Sequence, residues 1–431
     1  MPETSNFIVR PPAFVYRKAS KTMQLHCEKE PLAKVAARFG TPAYVYSAQT
    51  VHSRFESLDR AFKSADHTIC YSVKANSNLS LLRLLHKLGS GFDVVSGGEL
   101  ERVLRVGKRA AQNTVFSGVG KTAEEMDAAL RAGILMFNLE SESEMRLLAE
   151  RAGRAKKKAP VAFRVNPDVV AETHPYISTG LREHKFGVPM AEALRLYSAA
   201  AEQSWLDVRG ISVHIGSQIT SVQPFAAALG RVADLARELL GRGHKIRYID
   251  AGGGLGIPYN HGQEDLSATA AAYAQALLRS LHGLDVHLLL EPGRSIVGPA
   301  GVLLTRVLYL KRNGEKCFAV VDAAMNDLLR PSLYNAYHQI VPVERRDDDG
   351  LTKMDIVGPI CETGDFFARD REMPLLQEGD LLAILDTGAY GMSLASNYNS
   401  RPRSIELLVD GKRIKVVRKK ESVKDLMALE F

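Results

Sequence analysis

The stretch Ile246–Gly256, IRYIDAGGGLG, decides the reading of this chain. Its first half is a short run of β-branched and aromatic residues ending on a carboxylate, Asp250. Its second half is rich in glycines, whose backbone N–H groups can approach an anion closely because no Cβ stands in the way. A strand that opens into an anion-binding loop belongs to an α/β fold. The G-x-G-x-x-G spacing fails at Ile257, so the loop is not a dinucleotide fingerprint.

Similar β-rich runs recur on both sides: Thr68–Val73, Gly91–Val95, Thr114–Ser117, Leu135–Leu139, Val161–Val165, Ile211–Ile215, Ile246–Asp250 and Val286–Glu291. Stretches of helical period separate them, among them Leu79–Lys87, Ser141–Arg151 and Ala226–Leu240. Alternating strands and helices predict a parallel sheet with right-handed crossovers. Eight strands close a (β/α)₈ TIM barrel, and a span of about 230 residues is near the usual size for that fold. The glycine loop then follows the seventh strand, a usual phosphate position in such barrels. Polar side chains stand at or near the strand ends: Lys74, Asp93, Ser117, Glu140, Arg164, His214, Asp250 and Glu291. In a barrel those ends face one mouth, where catalysis takes place.

Beyond residue 300 the pattern changes to alternating segments, Val302–Leu310, Lys316–Val321, Leu381–Leu385 and Ile405–Val409, with turn signals between them. The expected architecture is therefore α/β: a barrel over residues 46–300, and a second, mostly antiparallel β domain built from residues 1–45 and 301–431.

With 431 residues, 24% charged and 45% apolar, the composition is that of a globular chain long enough for two domains, and excludes collagen-like and disordered classes. The net charge of +7 comes partly from basic clusters at Arg151–Lys158 and Lys412–Lys420. Neither has interleaved aromatic residues, so they read as solvated faces and no nucleic-acid partner is expected. The four cysteines are scattered with no CxxC pair, which fits a reducing compartment and predicts neither a zinc site nor a disulfide framework. No H-x-x-H pair is present, so no metal is expected. No apolar run approaches the roughly 18 residues of a membrane span, and the N-terminus lacks a signal-peptide pattern. A cytoplasmic protein is expected.

Lys74, in YSVKAN, sits at a strand end beside apolar residues. Partial desolvation would lower its pKa and free the amine for a Schiff base. Glu291, in EPGR, could hold a pyridine nitrogen protonated and so strengthen an electron sink, with a Glu291–Arg294 salt bridge as the plain structural alternative. His214, in HIGS, could stack on a planar cofactor, and Ser217 could reach its phosphate. Ser117–Thr122, SGVGKT, imitates a P-loop but has Val115 where the first glycine belongs. In the second domain Arg330 offers a guanidinium to a carboxylate, Cys361 a thiol beside Glu362, and Asp386–Pro402 a binding loop. His174–Gly187 is a candidate mobile loop, and the first forty residues give no functional reading.

Taken together, YSVKAN, FDVVSGGEL, HIGSQI, DAGGGLG, EPGRSIVG, RPSLYNAYH, CETGD and GAYG–SNYNSRP resemble, in order, the diaminopimelate decarboxylases, pyridoxal-phosphate enzymes of the alanine-racemase-like fold type. The resemblance runs from about residue 40 to about 425. It implies pyridoxal 5′-phosphate held covalently through Lys74, stacked by His214 and bound at its ring nitrogen by Glu291. Ser217, Gly253, Gly254, Gly293 and Arg294, with Tyr390, would hold the phosphate region, and Asp93 and Arg164 join the cofactor-binding set. Arg294, Arg330 and Tyr334 would grip substrate carboxylates, with Tyr390 nearby. Glu362 would read the distal amino group, and Cys361 would supply a proton. The loop carrying Cys361 and Glu362 would cross into a partner's site, making the active unit a homodimer with shared sites.

Related ornithine and arginine decarboxylases typically carry Asp after the cysteine and lack RPSLY in this form, which favours a substrate with a second carboxylate. Asn335 departs from a common Asp in the family's motif. The alternatives are a decarboxylase for ornithine, lysine or carboxynorspermidine, and a non-catalytic pyridoxal-phosphate-binding protein. Racemases of this fold usually place Arg where Glu291 stands.

Overall fold

The computed structural model describes residues 12–19, 22–169, 185–259, 265–346 and 350–431. Residues 174–184 of the candidate mobile loop lie outside them. The chain divides into two compact units, Arg54–Gly256 with Asp265–Ser295, and Met1–Ser53 with Ile257–Glu264 and Ile296–Phe431.

In the first unit eight strands follow one another: β1 His67–Ser72, β2 Gly91–Val94, β3 Thr114–Phe116, β4 Met136–Leu139, β5 Ala159–Asn166, β6 Leu206–Val213, β7 Tyr248–Asp250 and β8 His287–Leu290. Each pairs in parallel with its successor. Leu288 of β8 aligns with His67 of β1, which closes the barrel. The expected strands are all present, with ends displaced by a few residues. Strands such as β2 and β4 are buried at every position, because crossover helices cover one face and barrel side chains the other. Cys70, Val115, Met136, Ala162 and Leu289, from five different strands, form a compact cluster.

The crossover helices start where short polar side chains follow strand ends. Ser96, Ser141 and Asp265 each accept a backbone N–H of their helix's first turn. Thr122 and Glu125 form a reciprocal capping box, which satisfies N–H groups that otherwise lack partners. These caps fix the helix entry next to the barrel rim.

The P-loop-like SGVGKT therefore has a structural use. Thr122 is the cap, and Lys121 turns inward, with Nζ 2.6 Å from Glu144 Oε1 and 2.7 Å from the carbonyl oxygens of Gly118 and Asn138. Its side chain is wholly shielded from solvent.

In the second unit the strand Gly301–Asn313 pairs antiparallel with Ala43–Ser47, Lys316–Val321 and Leu381–Ile384. Two pairings are parallel: Ile405–Asp410 with Ala43–Ser47, and Lys316–Val321 with Leu351–Val357. Ala43–Ser47 thus lies between Gly301–Asn313 and Ile405–Asp410, which is why the chain leaves this unit only after residue 53 rather than after 45. Alternate inward residues, Val45, Val302, Leu304, Ala383, Leu385, Leu407 and Val409, make its core together with Phe14 and Leu25. Among the described residues no helix is long and apolar enough to cross a membrane.

Removing one member of a buried ion pair leaves an uncompensated charge, at a cost of about 3 kcal/mol or more. Lys121→Ala is accordingly expected to lower barrel stability by about 3 kcal/mol. The double change Lys121→Met with Glu144→Gln should recover most of that loss. Urea unfolding followed by the fluorescence of Trp205, the sole tryptophan, checks both.

Candidate active site

At the end of β1 the chain turns into a single 3₁₀ turn, Val73–Ala75, and presents Lys74 with a third of its side chain exposed. Its Nζ lies 2.6 Å from Asp93 Oδ2, on β2, and the Ser72 hydroxyl donates to the same oxygen at 2.7 Å. Asp93 has no solvent exposure, so Lys74 is its charge partner, held within a narrow range of positions. Lys74 therefore keeps an accessible amine whose proton already has an acceptor.

The glycines after β7 pack closely against the neighbouring strand ends. A Cβ at Gly253 would collide with the Glu291 carbonyl oxygen, and one at Gly254 with that of Gly216. Gly254 also has φ +100°, which side-chain-bearing residues rarely adopt. Gly293 backs onto Ala75 and Ser72, where a Cβ would stand 2.9 and 3.0 Å from their Cβ atoms. Backbone thus lines this rim where side chains would otherwise fill it. Beside it Arg294 Nη2 donates to the Ser217 hydroxyl at 3.0 Å. A guanidinium, a hydroxyl and close backbone are the donor set of a phosphate site.

His214 follows β6. Its Nδ1 accepts the Gly253 N–H at 3.1 Å, which leaves the ring proton on Nε2 when the imidazole is neutral. Burial, with Arg164 and Lys74 adding to it, holds its pKa well below the usual range, so the ring is neutral. Arg164 pairs with Glu140 Oε1 at 3.2 Å and donates to the His214 carbonyl at 3.2 Å. Glu140 also accepts the N–H groups of Gly118 and Gly187. Arg164 therefore secures the backbone beneath His214.

Glu291 closes β8 with 4% of its surface exposed. Ser117 donates to its Oε1 at 3.3 Å, and Asp250 is its hydrogen-bonding neighbour. Burial, followed by the charges of Asp250 and Asp93, pushes the Glu291 carboxyl well above the usual range. The Glu291–Arg294 salt bridge foreseen as an alternative is not among the ion pairs of the described residues. Two contributors escaped the sequence reading. Ser72 sits inside YSVKAN but was not singled out, and Asn138, in the apolar run LMFNLE, donates to both Asp250 and Ser117. An asparagine in the middle of an apolar strand was the available signal.

Could these residues hold pyridoxal 5′-phosphate? An accessible lysine amine, a glycine rim with Ser217 and Arg294, a buried carboxyl and a flat neutral imidazole at the ends of β1, β6, β7 and β8 match its aldehyde, phosphate, ring nitrogen and ring face. The set fits.

The remaining candidates lie in the second unit. Arg330 and Tyr334 bound the short helix Arg330–Tyr334, and Cys361 and Glu362 lie on an exposed loop after Leu351–Val357. The two are tied together by the Ser332 hydroxyl, which donates to the Gly364 carbonyl at 2.6 Å. Asp365 anchors the loop by accepting N–H groups of Ile360 and Met325, both at 2.7 Å. The Cys361 N–H donates to Asn399 Oδ1 at 3.1 Å, and Tyr398 hydrogen-bonds Glu362, which pushes the phenol pKa up. Asn335 takes a left-handed conformation, φ 50°, that ends the helix, a position where Asn is as apt as Asp. Tyr390 belongs to the same unit and also has positive φ, 57°.

A methyl group at Gly254 would meet both the strained φ and the Gly216 carbonyl, together about 1–2 kcal/mol or more. Gly254→Ala is expected to weaken pyridoxal 5′-phosphate binding about tenfold or more, read by absorbance titration of the cofactor-free protein.

The pyridoxal-binding domain of the pyridoxal-dependent decarboxylases matches residues 48–298. Diaminopimelate decarboxylase of Pseudomonas aeruginosa is 51% identical over 417 residues, 97% of this chain and 98% of its own length. The structure resembles that of diaminopimelate decarboxylase from Helicobacter pylori complexed with L-lysine, at TM-score 0.88 and 44% identity, covering 93% of this chain and 99% of that one. It also resembles diaminopimelate decarboxylase from M. jannaschii in complex with L-lysine, at TM-score 0.90 and 37% identity, covering 97% of this chain and 98% of that one. Likeness of this extent spans both the barrel with its lysine and glycine rim and the β unit with its arginine and cysteine loops, and places the chain in the diaminopimelate decarboxylase family of pyridoxal-dependent decarboxylases.

Proposed function

We propose that the chain decarboxylates meso-2,6-diaminopimelate to L-lysine and carbon dioxide, the last step of lysine biosynthesis, using pyridoxal 5′-phosphate. The observation that carries the reading is the meeting of an accessible Lys74 amine with a buried Glu291 carboxyl and a glycine rim at the ends of one closed barrel. When bound, the cofactor supplies an aldehyde that takes an amine and a ring that accepts the electrons left by the departing carbon dioxide.

The chain's own residues do the rest. Asp93 Oδ2, 2.6 Å from Lys74 Nζ, is placed to accept the proton the amine must lose before it can act as a nucleophile. Glu291 would hold a proton at the ring nitrogen, and so keep the ring a full electron sink. His214, neutral and fixed by Gly253 and by the Arg164 contact to its carbonyl, would stack on the ring face. Ser217, Gly253, Gly254, Gly293 and Arg294, with Tyr390, would bind the phosphate. Arg330 and Tyr334, with Arg294, would take substrate carboxylates, Glu362 the distal ammonium, and Cys361 would return a proton to the carbon that lost its carboxyl. A substrate with carboxylates at both ends uses more than one cationic contact, whereas ornithine, lysine and carboxynorspermidine lack that second amino-acid end.

Turnover of the four amino acids side by side tests the assignment. Carbon dioxide release and lysine formation from meso-diaminopimelate are expected at a kcat/KM at least about a hundredfold above the others, the scale of one desolvated charge-assisted contact. Lys74→Ala should lose covalent cofactor attachment and nearly all turnover. A Lys74→Ala protein as active as its parent would remove the reading.

The exposure of Cys361 and Glu362 supports a shared site in a homodimer. If each site takes its Lys74 from one protomer and its Cys361 from the other, an equal mixture of Lys74→Ala and Cys361→Ala proteins regains about a quarter of parental sites by random re-pairing. No recovery after subunit exchange would place both residues on one protomer.

A further inference from the structure

Next to Glu291 lies a second carboxyl that none of the proposed steps uses. Asp250 is wholly buried at the end of β7 and in hydrogen-bonding contact with Glu291. Two carboxylates in contact, without water or a further cation beside them, cannot both be ionised, since each anion lacks solvation and repels the other. One proton must lie between them, and the surrounding donors decide which side carries it.

The donors point one way. Asp250 Oδ1 accepts the Gly252 N–H at 3.0 Å, and Oδ2 accepts from Asn138 Nδ2 at 2.7 Å. Asn138 spends its other N–H on the Ser117 oxygen at 3.0 Å, which turns the Ser117 hydroxyl proton toward Glu291 Oε1 at 3.3 Å. Asp250 thus has two firm N–H donors and Glu291 one long O–H donor. The carboxylate better supplied with donors is the anion, so Asp250 is ionised and Glu291 keeps the proton.

The other groups around the pair agree. Asp93, from β2, adds negative charge and raises both carboxyls. Lys74 opposes it at Glu291. Cys70 on β1 and Tyr273 on the helix Leu266–Ser280 are both pushed up, so neither adds an anion. His214, 3.9 Å from Glu291 Oε2, is neutral.

We propose that Asp250 is a positioning residue: held as an anion by Asn138 and Gly252, it shares one proton with Glu291 and so fixes the proton on the carboxyl that meets the cofactor's ring nitrogen. The assignment rests on the placement of that nitrogen against Glu291. On docking, the Glu291 O–H bond breaks and an N–H bond forms at the ring. The product is a pyridinium–carboxylate pair, no charge is added to the buried site, and Asp250 stays an anion throughout. With a fixed negative charge behind it, Glu291 is a stronger base than an isolated carboxylate, and it holds the ring protonated more firmly.

The test is infrared spectroscopy of the cofactor-free and the pyridoxal 5′-phosphate-loaded protein in D₂O near neutral pH. Glu99, pushed up to about 7 by burial, also contributes near neutral pH, so the band is read as the difference between the cofactor-free parent and Glu291→Gln, which should show the carbonyl stretch of one protonated carboxylic acid, absent or displaced in Asp250→Asn. Loading the parent protein should remove the band. Asp250→Asn is close to isosteric, and should keep the fold by circular dichroism and still bind the cofactor. It should also lower kcat on the order of tenfold with KM within about twofold, and lower the pH at which the bound cofactor's absorbance titrates by about one unit. Asn138→Ala should move the same absorbance in the same direction by less. A parent-minus-Glu291→Gln difference with no protonated-carboxyl band, or an Asp250→Asn holoprotein with unshifted spectrum and kcat, would overturn the shared proton. A band that is present but unchanged by loading would instead overturn the placement of the ring nitrogen against Glu291.

Discussion

Three carboxylates, Asp93, Asp250 and Glu291, are held almost entirely out of water within one cluster of strand ends, and each must be neutralised or supplied with hydrogen-bond donors where it stands. Leaving such a charge unanswered in a dry interior costs more than most folds have in net stability. Asp93 is answered by the Lys74 ammonium at 2.6 Å, and Glu291 by keeping its proton against Asp250. The position of the reactive amine and the protonation state of the acid opposite it follow from this one requirement. It also explains the otherwise costly Asn138 and Ser117 in the strand ends, which supply neutral N–H and O–H dipoles where another full charge would have to be neutralised in turn.

Closure of the barrel makes the arrangement affordable to the rest of the sequence. Parallel strands run their C-terminal ends to one rim, so residues 19 to 219 positions apart in the chain can meet: Lys74 with Asp93, Ser117 with Glu291, Ser72 with the Glu291 carbonyl. The caps Ser96, Thr122 and Ser141 stand just after these ends and set where each crossover helix begins. Below the rim the strands are mostly apolar and buried, so the charged chemistry is concentrated at their C-terminal ends.

This layering governs what could be read in the sequence. Strand ends with a charged residue were visible, because a Lys, Asp or Glu at the end of a short β-rich run breaks the pattern, and so was the glycine rim. Asn138 was not, because one amide inside LMFNLE does not change a strand's apolar character. Lys121 was visible for the wrong reason: SGVGKT has the residues of an anion loop, but the lysine points inward to Glu144 and two carbonyls. Partners of this kind are set by packing between crossovers, about which local sequence says nothing. The second unit's strands were legible from alternation. Its two parallel pairings were not, since a strand's periodicity is the same whichever way its neighbour runs.

The acid pair also bears on why Glu rather than Arg stands at position 291. Racemases resembling this fold usually carry Arg there, and a fixed cation leaves the ring nitrogen unprotonated and the sink weak. With Arg at 291, Asp250 would form an ordinary salt bridge, no proton would be shared, and the Asn138–Ser117 chain would have no acid to orient. The donors around Asp250, the desolvation of Glu291 and the burial of Asp93 are therefore consistent with one another only if residue 291 is an acid that can gain and lose a proton. Substituting that one residue would discard the use of at least four others, so the full electron sink is a property of the whole strand-end cluster.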